Sequence, residues 1–209
     1  MKGIGVLLSG GGSNLQAVMD AVERGSIPAD IKLVLSDRPN AYGLVRAESK
    51  GIPSFCIDRK QYKSSESFNQ AILEKLTDHH VEYVVLAGYL RILSPELVEC
   101  YRNKIINIHP SLIPSFCGMG FYGQKVHQAV LDYGAKVTGA TVHFVDEGTD
   151  TGPIILQKAV DVLCGDTVET LSQRVLEVEH ELLPRAVALL VQDKIKVLGR
   201  KVTLEEGDV

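Results

Sequence analysis

Asn107 and His109 stand two positions apart at the end of a short apolar run, in the stretch I-I-N-I-H-P-S-L-I-P-S-F-C-G-M-G-F-Y-G-Q from 105 to 124. Pro110 and Pro114 break any regular element there, and glycine-rich sequence follows. Polar groups at the C-terminal end of a buried strand, followed by a long loop, are where open α/β sheets place their chemistry. Histidine is the side chain best matched to proton transfer near neutral pH. A second loop, running from Asp146 to Pro153, brings carboxylates, Asp150 among them. Asn107, His109 and Asp150 together suit acyl transfer without a covalent intermediate. Asp150 would favour the imidazolium of His109 and raise its pKa. The charged ring and the Asn107 amide would then stabilise charge developing on a carbonyl oxygen. On spacing alone two plainer readings stay open: strand-end hydrogen bonding for Asn-x-His, and a solvated turn for the acidic loop.

A second centre of chemistry lies near the N-terminus. Ile4 to Leu8 reads as a buried strand, Ser9-Gly10-Gly11-Gly12-Ser13-Asn14 follows at once, and Leu15, Val18, Met19 and Val22 then recur at helical spacing up to Gly25. Strand, glycine loop and helix N-terminus make an anion site, because glycines admit close approach and the free N–H groups attract phosphate. Ser13 and Asn14 add side-chain hydrogen bonds or act as N-caps. The pattern is neither G-x-G-x-x-G nor a Walker loop, and a tight capped turn competes with the anion reading. Arg91, among apolar neighbours in G-Y-L-R-I-L (88–93), is either a surface arginine with a packed stem or a clamp for a carboxylate.

The elements that must hold these groups alternate. Ile31 to Leu35, Ser54 to Ile57 and Tyr83 to Ala87 read as strands, with helices over 43–50 and 65–79, and another beginning at Ser94-Pro95-Glu96. That rhythm means parallel βαβ units. After residue 105 the pattern changes. A short helix spans His127 to Tyr133, and Lys136 to Val145 is a long strand in which Gly139 allows close approach. Ile154 to Val160 returns antiparallel, a long helix capped near Thr167 runs to Leu190, and a terminal hairpin turns at Gly199-Arg200. The expected architecture is α/β: a Rossmann-like open, mostly parallel twisted sheet with helices on both faces and an antiparallel C-terminal portion. One domain over 1–209 is expected, its halves (1–100 and 101–209) closely fused.

The totals set limits. The 209 residues are 45% hydrophobic and 23% charged, enough for a proper core. A net charge of -4 speaks against a dedicated nucleic-acid binder. No segment approaches the ~20 apolar residues of a membrane span. The N-terminus lacks the layout of a secretory signal. Cys56, Cys100, Cys117 and Cys164 show no zinc spacing and read as free thiols of a cytoplasmic protein.

Four stretches in order, V-L-L-S-G-G-G-S-N-L-Q-A (6–17), L-A-G-Y-L-R-I-L-S-P (86–95), I-N-I-H-P-S-L-I-P-S-F (106–116) and V-T-G-A-T-V-H-F-V-D-E-G-T-D-T-G-P-I-I-L-Q (137–157), resemble the formyltransferase family over nearly the whole chain. The resemblance implies direct transfer of a formyl group from 10-formyltetrahydrofolate to the amine of glycinamide ribonucleotide in purine synthesis, with no metal. It implies Asn107, His109 and Asp150 as the catalytic trio and Gly12, Ser13 and Asn14 as the phosphate site. It implies Glu179, in V-L-E-V-E-H (175–180), as the contact to the ribose hydroxyls. Leu90, Arg91, Ile92, Leu93, Asn107 and Asp146 would form the folate site, Arg91 near the glutamate tail. The partners implied are these two small molecules, with no nucleic acid and no membrane; a homodimer is a family expectation. The chain departs from the family's commoner form in C-G-M-G-F-Y-G-Q-K-V-H (117–127), so Tyr122 and His127 carry no assignment. It departs again at K-S-S-E (63–66), where a basic folate contact is common. The rival readings are formyltetrahydrofolate hydrolase, a methionyl-tRNA formyltransferase-like enzyme and a non-catalytic folate or nucleotide binder.

Overall fold

The computed structural model describes residues 1–205. The first half alternates as β1 (Lys2–Leu8), α1 (Ser13–Glu23), β2 (Ala29–Ser36), α2 (Tyr42–Ser49), β3 (Ser54–Cys56), α3 (Ser65–Asp78) and β4 (Tyr83–Leu86). Then come α4 (Pro95–Cys100), β5 (Ile105–His109), α5 (Gln124–Tyr133), β6 (Val137–Phe144), β7 (Ile154–Asp161), α6 (Val168–Val191), β8 (Ile195–Leu198) and β9 (Lys201–Leu204). Seven strands form one sheet in the order β3-β2-β1-β4-β5-β6-β7, parallel from β3 to β5 and antiparallel from β5 to β7. The β8–β9 hairpin stands apart from that sheet.

Side-chain alternation along the strands separates two apolar layers. Ile4, Val6, Leu8, Val34, Val85, Ile106 and Val142 pack on one face with Leu15 and Val18 of α1, Val130 of α5 and Val175, Leu182 and Leu183 of α6. Leu7, Leu33, Leu35 and Val84 pack on the other with Phe68, Ile72 and Leu76 of α3 and Leu97 of α4. The central strands are buried on both faces, which is why they read as unbroken apolar runs.

The helix ends follow their local chemistry. Ser94 accepts from the Leu97 N–H with Pro95 at the first helical position, and Thr167 forms a reciprocal cap with Thr170. Such a cap is worth about 1 kcal/mol. Gly139 is needed where β6 meets β7, since a Cβ there would sit 2.1 Å from the Lys158 carbonyl oxygen. One helix start differs from the sequence reading. α5 starts at Gln124 rather than His127, because positive-φ glycines at 120 and 123 end the loop earlier. α6 runs unbroken through Pro184, as its apolar spacing up to Leu190 predicts: buried Leu182, Leu183, Ala186 and Val187 pin both sides of the lost backbone donor to the sheet. All four cysteines are free, and among the described residues no helix is long and apolar enough to cross a membrane.

Candidate active site

β1 lies between β2 and β4, so the order of connections reverses at the β1–β4 pair, where open sheets leave a crevice at their carboxyl ends. The loops leaving the two strands are joined: the Ser9 N–H donates to the Gly88 carbonyl at 3.1 Å, and the Leu90 N–H donates to Ser9 Oγ at 2.9 Å. A cavity of about 560 Å³ opens here, lined by residues 88–93, Asn107, His109, loop 118–124, His143, Asp146, Asp150, Asn14 and Glu179. Asn107, His109 and Asp150 therefore share one cavity. Gly12 and Ser13 do not line it; Asn14, one residue on, does.

Asn107 and His109 sit on alternate positions of β5 and so share a face, opposite Ile106 and Ile108. In the antiparallel register Asn107 faces His143 and His109 faces Thr141. Cross-strand pairing thus sets His143 against the Asn107 amide, at 3.1 Å from Nδ2 to Nε2. The His143 Nδ1–H donates to the Phe144 carbonyl at 2.8 Å, which leaves Nε2 as the acceptor. Asp150 stands between two imidazoles: Oδ2 lies 3.6 Å from His109 Nδ1, and Oδ1 lies 3.6 Å from His143 Nε2. The Gly118 N–H donates to Oδ2 at 2.9 Å. Asp150 holds this place in the left-handed region, at φ 58°, a conformation that a non-glycine residue rarely adopts.

The electrostatics correct one expectation. Burial works to raise Asp150, but the His143 side chain, His109 and the Gly118 N–H outweigh it and hold the carboxyl below its usual range. His109 is 4% exposed, and burial pushes its pKa down, not up. The Asp150 carboxylate and the Phe116 carbonyl oppose that push without reversing it. The resting ring is therefore neutral near pH 7. Its Nε2–H is engaged with the Phe116 carbonyl at 3.0 Å. The cluster offers a poised base, a fixed carboxylate and an amide with one N–H to spare.

At the α1 end the N-cap is Gly12, at φ 73°, with no side-chain cap. A Cβ there would meet Gly43 Cα at 2.6 Å, so glycine is required. Neither Ser13 nor Asn14 is the cap. The first N–H groups of α1 have no partner within the helix, as an anion site needs. Asn14 instead turns inward, and its Nδ2 donates to Glu179 Oε2 at 2.6 Å. Glu179 is not a surface residue of its helix. It is 8% exposed, and burial pushes its carboxyl up to about 7 against the pull of the Asn14 amide. Asn14 Oδ1, the Tyr89 hydroxyl and His127 Nδ1 are buried without partners, and all three residues line the cavity. Buried polar atoms in a cavity wall suit a polar ligand.

Leu90 and Ile92 are exposed at the cavity edge, while Leu93 is buried beneath the loop. Arg91 does face a carboxylate, but it is that of Asp37, with Nε 2.8 Å from Oδ2. Asp146 accepts from the Gly148 N–H at 3.1 Å and the Thr151 hydroxyl at 2.6 Å, which shapes the acidic loop. Sequence reasoning gave no site role to His143 or Asp37. Register and burial reveal them, and the only sequence signal for His143 is its parity with Thr141 on a strand whose other face is apolar. His127, left without an assignment, lies buried in the cavity wall, where burial and neighbouring His109 push its pKa down.

Comparison with known proteins places this geometry. The formyl transferase family model matches residues 2–187. Phosphoribosylglycinamide formyltransferase of Bacillus subtilis is 44% identical over 191 residues, covering 91% of this chain and 95% of that protein. The trifunctional purine biosynthetic protein adenosine-3 of Gallus gallus is 46% identical over 194 residues; the match takes in 93% of this chain but only 19% of that longer protein. The crystal structure of glycinamide ribonucleotide transformylase 1 from Symbiobacterium toebii superposes with a TM-score of 0.94 at 44% identity, covering 99% of this chain and 95% of that one. A sheet reversing at β1–β4, an Asn–His–Asp cluster at the end of β5 and a family match across nearly the whole length agree: the chain belongs to the formyl transferase family.

Proposed function

We propose that the protein transfers a formyl group from 10-formyltetrahydrofolate to the amine of glycinamide ribonucleotide, directly and through a tetrahedral intermediate, as a cytoplasmic step of purine synthesis. The observation that carries this reading is the single cavity that unites Asn107, His109 and Asp150 with the Asn14–Glu179 pair. The N–H groups opening α1 receive the phosphate, and Glu179 with the free Asn14 oxygen receives the ribose hydroxyls. The apolar edge of Leu90 and Ile92, the backbone through Leu93 and the Asp146–Asp150 loop receive the flat folate ring system.

The amine nitrogen attacks the formyl carbon. The spare N–H of Asn107 stabilises the developing oxyanion. His109 starts neutral, so it can accept the proton that the amine loses as the new C–N bond forms. Asp150 and the oxyanion then both favour the imidazolium. The bond from the formyl carbon to the folate nitrogen breaks as that nitrogen takes up a proton, delivered from His109 with Asp150 as support. Holding the two substrates side by side supplies much of the acceleration.

The test is formyl transfer with glycinamide ribonucleotide, water and initiator Met-tRNA as alternative acceptors. The reading requires turnover that depends on the ribonucleotide and collapses in His109→Ala. Folate consumption without an acceptor would point to hydrolysis, and transfer to the tRNA would point to the tRNA-directed branch; either defeats it.

A further inference from the structure

Arg91 and Asp37 come from loops at the carboxyl ends of β4 and β2, two strands that do not touch, with β1 between them. The Asp37 side chain is fully buried, while that of Arg91 is 46% exposed and lines the cavity. Asp37 contacts the guanidinium through Nε alone. Among the described residues the two terminal amino groups of Arg91 have no hydrogen-bond partner, and Asp37 Oδ1 is buried without one. If Arg91 swung away, a buried carboxylate would be left with no countercharge, a costly state. The arginine is therefore locked at its inner edge and open at its outer edge. The planar pair of terminal amino groups on that outer edge is the geometry that grips a carboxylate with two parallel hydrogen bonds.

The loop that carries Arg91 is fixed on both sides. Ser9 Oγ holds the Leu90 N–H, and buried Asn69 Oδ1 accepts the Ser94 N–H at 2.9 Å. Tyr89 lies against the same pair: its phenol is pushed up by burial first and then by the Asp37 charge, with Arg91 pulling the other way.

We propose that Asp37 is a positioning residue that sets co-substrate selectivity, holding Arg91 by Nε so that its outer edge grips a carboxylate on the tail of the folate. This assignment rests on the formyl-transfer reading. It makes Asp37 a selectivity determinant that never touches the ligand. A tail carboxylate must come to a fixed arginine, so preorganisation, not induced movement, provides the discrimination.

The experiment compares kcat/KM for 10-formyltetrahydrofolate with that for the matching pteroate, which lacks the glutamate, in parent, Asp37→Asn, Asp37→Ala and Arg91→Met enzymes. The parent should prefer the glutamate-bearing compound by about tenfold or more, the worth of a charge-assisted pair. Arg91→Met should abolish the preference. Asp37→Ala should bring it close to the Arg91→Met value. Asp37→Asn keeps an acceptor of the same shape and guards against a folding defect; it should lose part of the preference. Adding Asp37→Ala to Arg91→Met should cost no further selectivity, the signature of residues acting in series. Loss of kcat/KM by the same factor for both co-substrates would mark Asp37 as merely structural and overturn the proposal. An unchanged preference in both Asp37 variants would overturn it as well. A parent that turns over both compounds equally with glycinamide ribonucleotide leaves the formyl-transfer reading standing and removes this one. A parent that turns over neither defeats both.

Discussion

A partly buried carboxylate, Asp150, and a buried one, Glu179, look into one cavity and are shifted in opposite directions. Asp150, between two imidazoles and a backbone N–H, stays below the usual carboxylate range. Glu179, with a single amide N–H, is pushed up to about 7. Burial works against charge in both; at Asp150 the imidazoles and the Gly118 N–H outweigh it, and at Glu179 the Asn14 amide does not. One end of the cavity is thus built to keep a fixed negative charge beside a base. The other presents a carboxyl that can donate or accept to hydroxyl groups near neutral pH. One pocket thus sets two carboxyl groups apart by what surrounds each of them.

The largest break in this comparison should come from Asp150→Asn, which keeps the shape and removes the charge. It should lower kcat by about 10³-fold or more, the loss expected when an acid–base partner and its electrostatic support go together. A variant within tenfold of the parent would mean that the charge at this end is dispensable. Next is Asn107→Ala, with kcat reduced by about 10²-fold or more as one oxyanion donor is lost. Its signature is an unchanged KM for the ribonucleotide.

Glu179→Gln sharpens the other side. It should raise KM for the ribonucleotide by about tenfold while kcat moves little, since an amide keeps only some of the hydroxyl contacts. Its stability should change in a set direction. The folded pKa of Glu179 lies above the unfolded value, so its contribution is full below the ordinary value of 4.5 and fades as pH rises through about 7. Glutamine escapes that loss, and above pH 7 the variant should exceed the parent by roughly 3 kcal/mol, converging with it near pH 4.5. Parallel melting curves at all pH values would refute the raised carboxyl.

The smallest effect concerns His109, followed by proton-detected titration of its ring. In the parent it should titrate below the ordinary 6.5. In Asp150→Asn it should move further down, because an anion that favours the imidazolium is gone. A value above 6.5 in the parent would restore the pre-charged histidine expected from sequence.

Much of this arrangement was legible before any coordinates. The strand–helix rhythm of the first hundred residues, the return strand after Gly152 and the capped long helix follow from periodicity and turn chemistry. Asn107, His109 and Asp150 stand at element ends, where polar residues in an apolar context draw notice. His143 was hidden because register is not written in spacing: only the pairing of β5 with β6 sets it opposite Asn107. The direction of the His109 shift was misjudged because Asp150 is visible in sequence and the depth of burial is not. For Arg91 the sequence left a surface arginine and a carboxylate clamp both open; the carboxylate it meets within the chain, that of Asp37, lies 54 positions away and needed the β2-β1-β4 order to be found.

The bond from Asn14 to Glu179 spans 165 positions and ties the first helix to the last. While the protein is being synthesised, the wall made by these two residues cannot exist until α6 has emerged from the ribosome and docked. A ligand that occupies both ends of the bond also holds the two extremities of the fold together. Its binding energy then opposes unfolding of the whole chain rather than the fraying of one part. In a cell short of that ligand, the same protein would turn over faster.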